Sequence, residues 1–149
     1  MTVGEVCTRF VVTARADETI VDAARRMRDA HVGALVVIDE IAAGRPAGIL
    51  TDRDIVVSAV AQTPDKLESL RVGDVMTGDL VTARSGDTLD VALTSMRARG
   101  IRRLPVVSGE GLLEGLIAFD DILEVMSEEL DDLVGLVARE QKREREVRV

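Results

Sequence analysis

The chain repeats itself, and the repeat limits the possible folds more than any other feature of the sequence. Sliding the 149 residues by 69 positions lays the VTAR of Val12–Arg15 on the identical VTAR of Val81–Arg84. The same shift lays Thr19, Ala23, Met27 and Arg28 on Thr88, Ala92, Met96 and Arg97, then Leu35 on Leu104 and Val37 on Val106. That makes ten identities between positions 12 and 38 in one ungapped register. A shift of 67 aligns GILTDRDI (Gly48–Ile55) with GLIAFDDI (Gly115–Ile122), so the loop before it is two residues shorter in the second copy. A copy of about 55–60 residues is marginal as an independent core, so the two are expected to pack on each other.

Each copy has the same local pattern. A short β-prone piece, FVVT ending at Thr13 and LVT ending at Thr82, leads into a helical stretch. Ile20, Ala23, Ala24, Met27 and His31 in the first, and Leu89, Ala92, Leu93 and Met96 in the second, recur at helical spacing. Thr19 with Asp22 is a capping arrangement at one start. Gly33 and Gly100 stand where these helices close, Gly100 being the better placed. The unbroken apolar runs ALVVI from Ala34 and LPVV from Leu104 suit a sheet covered on both faces. A strand at Gly48–Leu50 or Gly115–Ile117 follows, and a helix from near Asp52 or Asp120 completes each copy. The order β-α-β-β-α, twice, is an α/β architecture, read as a pseudo-two-fold pair with a C-terminal amphipathic helix. On this reading 1–60 and 75–127 are the copies, 61–74 with Pro64 and Gly73 is the linker, and 128–149 is a tail. Leu123, Met126, Leu130, Leu133, Leu136 and Val137 give the last helix one apolar face. Beyond Val137 the sequence is almost wholly charged, which predicts a solvated or frayed end.

Composition excludes several functions. With 46% hydrophobic and 31% charged residues the chain is globular in kind, and no apolar run approaches the roughly 18 residues of a membrane span. The opening MTVGEVCTRF has no basic segment followed by an apolar one, so no secretory signal is expected and the chain reads as cytoplasmic. The 19 Lys+Arg against 27 Asp+Glu leave a net charge of −8, which argues against nonspecific nucleic-acid binding but not against a small anion held by a local basic patch. One cysteine and one histidine cannot build a Cys/His metal cluster, and two Phe with no Trp or Tyr offer no platform for stacked bases. No nucleophile–base constellation is present, so an enzyme is not expected. GRPAG around Pro46 lacks the ending of a phosphate loop, and Cys7 reads as a packed or loose thiol.

Tandem β-α-β-β-α copies, with VMT at Val75–Thr77 opening the second, LPVV at its middle strand and GILTDRD closing the first, resemble a CBS-domain pair, or Bateman module. The resemblance covers about residues 4–127 and is with the stand-alone kind. It implies a regulatory module without catalysis of its own, which binds an adenosine-containing ligand such as AMP, ADP, ATP or S-adenosylmethionine between the repeats. It also implies a homodimer that signals to an unknown protein partner. An interaction module with degenerate, empty clefts is the alternative.

The resemblance assigns candidate contacts residue by residue. In Gly48–Asp54, Thr51 and Asp54 are expected to meet phosphate and ribose, although the same Thr-x-x-Asp is also a helix cap. The second copy keeps the acid as Asp121 but has Ala118 for the hydroxyl, so the two sites are expected to be unequal. Thr13 and Ala14, with Thr82 and Ala83, are expected near the base; strand propensity is their other reading. Arg102 and Arg103 precede the LPVV strand and can supply positive charge to a phosphate, or pair with surface acids. His31 reads as a helix-terminal residue, and Asp52 and Arg53 as solvated.

Overall fold

The computed structural model describes residues 1–148. A short helix α1 (Val3–Val6) precedes the first copy, which runs β1 (Thr13–Arg15), α2 (Ile20–Ala30), β2 (Ala34–Asp39), β3 (Arg45–Thr51) and α3 (Asp52–Asp54). The last of these continues as a π-helical segment, Ile55–Val60. A second short helix α4 (Val72–Val75) precedes β4 (Ala83–Arg84), α5 (Leu89–Arg99), β5 (Arg103–Val107), β6 (Leu113–Ala118) and α6 (Phe119–Val147). Each copy thus forms a three-stranded sheet whose middle strand is parallel to one neighbour and antiparallel to the other. The bulges fall at equivalent places, Val37/Ile38 and Val106/Val107. Both apolar strands are buried, Leu35–Val37 and Leu104–Val107.

The copies are joined by an exchange. The 69-residue shift also relates Val3-Gly-Glu-Val to Val72-Gly-Asp-Val, and each of these short helices packs on the other copy. The Val3 N–H donates to the Asp87 carbonyl at 2.8 Å and the Gly4 N–H to that of Ser85 at 2.9 Å. Reciprocally, the Val72 N–H donates to the Glu18 carbonyl at 2.8 Å and the Gly73 N–H to that of Ala16 at 2.9 Å. Val3 therefore lies in the core of the second copy with Ala92, Leu104 and Ile117, and Val72 in the core of the first with Ile20, Leu35 and Leu50. Burying a valine stabilises by about 1.5–3 kcal/mol, so each copy draws part of its stability from a residue that precedes the other.

Directly after each short helix the chain crosses the outer strand. Thr77 pairs with Ile49, and Thr8 with Leu116. The crossing passes directly over a glycine in each case. A Cβ on Gly48 would lie 2.8 Å from the Thr77 carbonyl oxygen, and one on Gly115 would lie 2.9 Å from that of Thr8. Both positions require glycine for close approach of backbone to backbone.

Several local expectations are corrected. Helix α2 ends at His31, which adopts the left-handed conformation at φ 55°, not at Gly33. The register explains it, because His31 is the counterpart of Gly100, which caps α5 at φ 63°. A histidine tolerates that conformation better than a branched residue does. His31 is exposed and takes no part in the apolar face of α2. Of FVVT only Thr13 is in a strand, and LVT lies wholly before Ala83, because partners on β2 and β5 begin there. The charged tail is solvated, as expected, yet helical through Val147 and not frayed, since Glu, Gln, Lys and Arg are all good helix formers. Among the described residues no helix is long and apolar enough to cross a membrane.

Candidate ligand cleft

The last turn of β3 and the start of α3 face the entrance of β5, and a cleft of about 270 Å³ lies between them. Its first wall is Ile49 and Thr51–Asp54 of the first copy; its second is Gly100–Arg103, with Thr77 and Asp79–Val81 from the irregular segment that leads into β4. A volume near 300 Å³ is at the lower edge of small-molecule sites.

Thr51 and Asp54 are held by one another. The Thr51 hydroxyl accepts from the Asp54 N–H at 3.1 Å, and the Thr51 N–H donates to Asp54 Oδ2 at 2.9 Å. The capping role is thus present, and it also fixes both side chains at the cleft wall, each half-buried. In the second copy only half of this box survives. The Ala118 N–H donates to Asp121 Oδ2 at 2.7 Å, and Ala118 has no side-chain oxygen to return the bond.

The two arginines differ. Arg102 is tethered toward the second copy, its guanidinium 3.4 Å from Asp120 and 5.7 Å from the centre of the Phe119 ring. Arg103 is half-buried, with its guanidinium beside Gly33 and Asp52, and among the described residues it makes no ion pair within 4.0 Å. Asp79, on the opposite wall, is engaged by Arg99 at 3.0 Å. The cleft therefore combines a capped hydroxyl–carboxylate pair with two arginines, Arg53 and Arg103, that make no ion pair within 4.0 Å among the described residues.

Of the residues singled out from sequence, Thr51, Asp54, Arg102 and Arg103 meet in this cleft. Thr82 is exposed and immediately follows Val81 of the wall. Ala83 and Ala14 are buried in separate cores, 3% exposed each. The Thr13 carbonyl accepts from Arg26 at 2.8 Å. Asp121 lies at the start of α6, outside the cleft. Asp52 and Arg53 are exposed, as read from sequence, yet contribute to the wall. Sequence reasoning missed Thr77, Asp79 and Leu80 as wall residues. Extending the 69-residue comparison back to Val3–Thr8 and Val72–Thr77 would have marked Thr77 as part of the repeat.

This architecture has known counterparts. The CBS domain family matches residues 3–60 and 72–128, and the chain belongs to that family. An uncharacterised protein of Methanopyrus kandleri is 36% identical over 127 residues, a match covering 84% of this chain and 62% of that protein. An inosine-5'-monophosphate dehydrogenase of Methanocaldococcus jannaschii is 35% identical over 120 residues, covering 80% of this chain but only 22% of the enzyme. Among solved structures, the CBS domain pair of protein MJ0100, in complex with 5'-methylthioadenosine and S-adenosyl-L-methionine, superposes with a TM-score of 0.76 at 25% identity. That match covers 87% of this chain and 98% of the other.

Proposed function

We propose that this protein is a regulatory CBS module of the cytoplasm, without catalysis of its own. It binds an adenosine-containing ligand (AMP, ADP, ATP or S-adenosylmethionine) in the cleft at Thr51 and Asp54, and passes the occupancy to a protein partner as a homodimer. The observation that carries the reading is the meeting of Thr51 and Asp54 from one copy with Arg103 from the other across one cleft. The adenosine compounds bound by the CBS pair of MJ0100 support the ligand class. Asp54 Oδ2 is used by the cap, and the second carboxylate oxygen would accept from ribose hydroxyls. Arg103 would meet a phosphate or carboxylate oxygen, a charge-assisted bond stronger than a neutral one. Because the walls belong to different copies, a ligand preferring one spacing of the copies shifts their arrangement.

Calorimetry with AMP, ATP and S-adenosylmethionine tests this. At least one should bind, and Asp54→Ala should weaken it about tenfold or more, equivalent to about 1.4 kcal/mol. Asp121→Ala should leave the affinity at this cleft within about twofold, and Arg103→Ala should cost more than Arg102→Ala, whose side chain is tethered elsewhere. Circular dichroism verifies folding, because loss of the cap alone costs about 1 kcal/mol. A folded Asp54→Ala protein with wild-type affinity overturns the assignment to this cleft, and no binding by the wild type overturns the ligand reading and favours an interaction module with empty clefts.

A further inference from the structure

Helix α6 leaves the body of the protein soon after Ile122, its one fully buried residue, and every residue from Met126 to Arg148 is exposed. Five of its exposed apolar residues nevertheless keep a heptad spacing, with Val134 and Leu136, also exposed, beside it. Leu123, Met126, Leu130, Leu133 and Val137 alternate three- and four-residue steps, and each is between 52% and 61% exposed. That is the spacing of a coiled-coil seam, exposed along its length. The family match ends at residue 128, so most of this seam lies outside the CBS pair.

The charges along the same helix are segregated. Residues 120–138 hold seven acids and no base, whereas 139–148 hold five bases (Arg139, Lys142, Arg143, Arg145 and Arg148) against three acids. A helix that is acidic in one half and basic in the other is complementary to itself only when reversed. Two copies side by side in the same direction would set acid on acid, which is unfavourable.

We propose that the occupant of this seam is the α6 of a second copy, lying antiparallel, with Leu133 of one chain against Val137 of the other. The inference rests on the homodimer reading above and specifies where and how the chains meet. The acidic turns of Glu128–Asp132 then lie beside the basic turns from Arg139 to Arg145 of the other chain, on both sides of a two-fold axis. In this register Glu129 of one chain flanks Arg143 of the other, and the apolar layers span Leu123 to Val147, about 36 Å at 1.5 Å per residue. Glu140 and Glu144 fall in the seam opposite Leu130 and Met126, so contact is tightest at the centre and weaker toward the ends.

Light scattering on the full chain should give a dimer at micromolar concentration. Leu130→Asp with Leu133→Asp should give a monomer whose circular dichroism and ligand affinity match those of the wild type. Replacing Arg139, Lys142, Arg143 and Arg145 by Glu should weaken dimerisation about tenfold or more, as should replacing Glu128, Glu129, Asp131 and Asp132 by Lys. An equimolar mixture of these two proteins should dimerise again. For orientation, Met126→Cys and Glu144→Cys proteins are mixed and oxidised; they should cross-link mainly to each other. A monomeric full-length chain overturns both the homodimer and this interface. A dimer that survives Leu130→Asp with Leu133→Asp keeps the homodimer and overturns the α6 interface. Cross-linking of each cysteine variant mainly to itself overturns the antiparallel arrangement.

Discussion

At the start of its last helix the first copy sets Thr51, Asp52 and Asp54, and the second sets Ala118, Phe119 and Asp121. The facing wall differs as much. Arg102 and Arg103 have Gly33 and Ala34 as their counterparts, Gly100 has His31, and Asp79 has Phe10. The backbone is repeated closely, down to the bulge and the glycine under the crossing strand, while the side chains that could meet a ligand have diverged. Both phenylalanines and the single histidine of the protein fall at the second copy's version of the wall, and Arg53, Arg102 and Arg103 at the first. Duplication therefore preserved what packing demands and released what only binding demands. A glycine pressed by a carbonyl oxygen has no alternative, but a half-buried hydroxyl or guanidinium can be exchanged at a smaller cost, about 1 kcal/mol for a capping hydroxyl.

The comparison can be broken first at its conserved part. Gly48→Ala and Gly115→Ala should each destabilise by about 1–3 kcal/mol, because the new methyl meets a backbone carbonyl that cannot turn away. Urea denaturation measures both, and a neutral result in one copy would show that the crossings are not equivalent. The diverged part is sharpened by Ala118→Thr, which returns to α6 the oxygen that its N-terminal box lacks. A gain of about 1 kcal/mol is expected. Unchanged stability would mean that the box in the first copy owes its geometry to the cleft and not to capping.

The smallest effect belongs to the exchanged helices. The backbone N–H of Thr2, and then its hydroxyl, hold the Glu5 carboxyl below its ordinary range. A lowered folded-state value means that the stability Glu5 contributes is in place above its unfolded value, near 4.5, and is lost as the pH falls through the folded one. The melting-temperature gap between wild type and Glu5→Gln should therefore be small at pH 6 and shrink toward pH 3. A gap independent of pH would remove Glu5 from the cap of α1.

Much of the plan was legible because it is written in periodicity. The two copies, the strand order, the buried runs at Leu35 and Leu104 and the amphipathic last helix all follow from spacing within short windows, which local propensity and burial control. Asp54 and Arg103 were identified through likeness to a family motif, and no local rule linked them. Boundaries were read less well where the repeat register outweighed composition. Gly33 looked like a helix end, but the left-handed residue is His31, as the register with Gly100 requires.

The sequence by itself determined the duplication, the α/β order and the segregated charge of the last helix, since each is a relation between residues along one chain. Only the tertiary structure decided that Val3 and Val72 are exchanged between the cores, that Thr77–Val81 completes the wall opposite Thr51, and that Arg102 is tethered while Arg103 is not. Those are contacts between segments far apart in the chain. They depend on how two half-sized cores, each too small alone, close over one another.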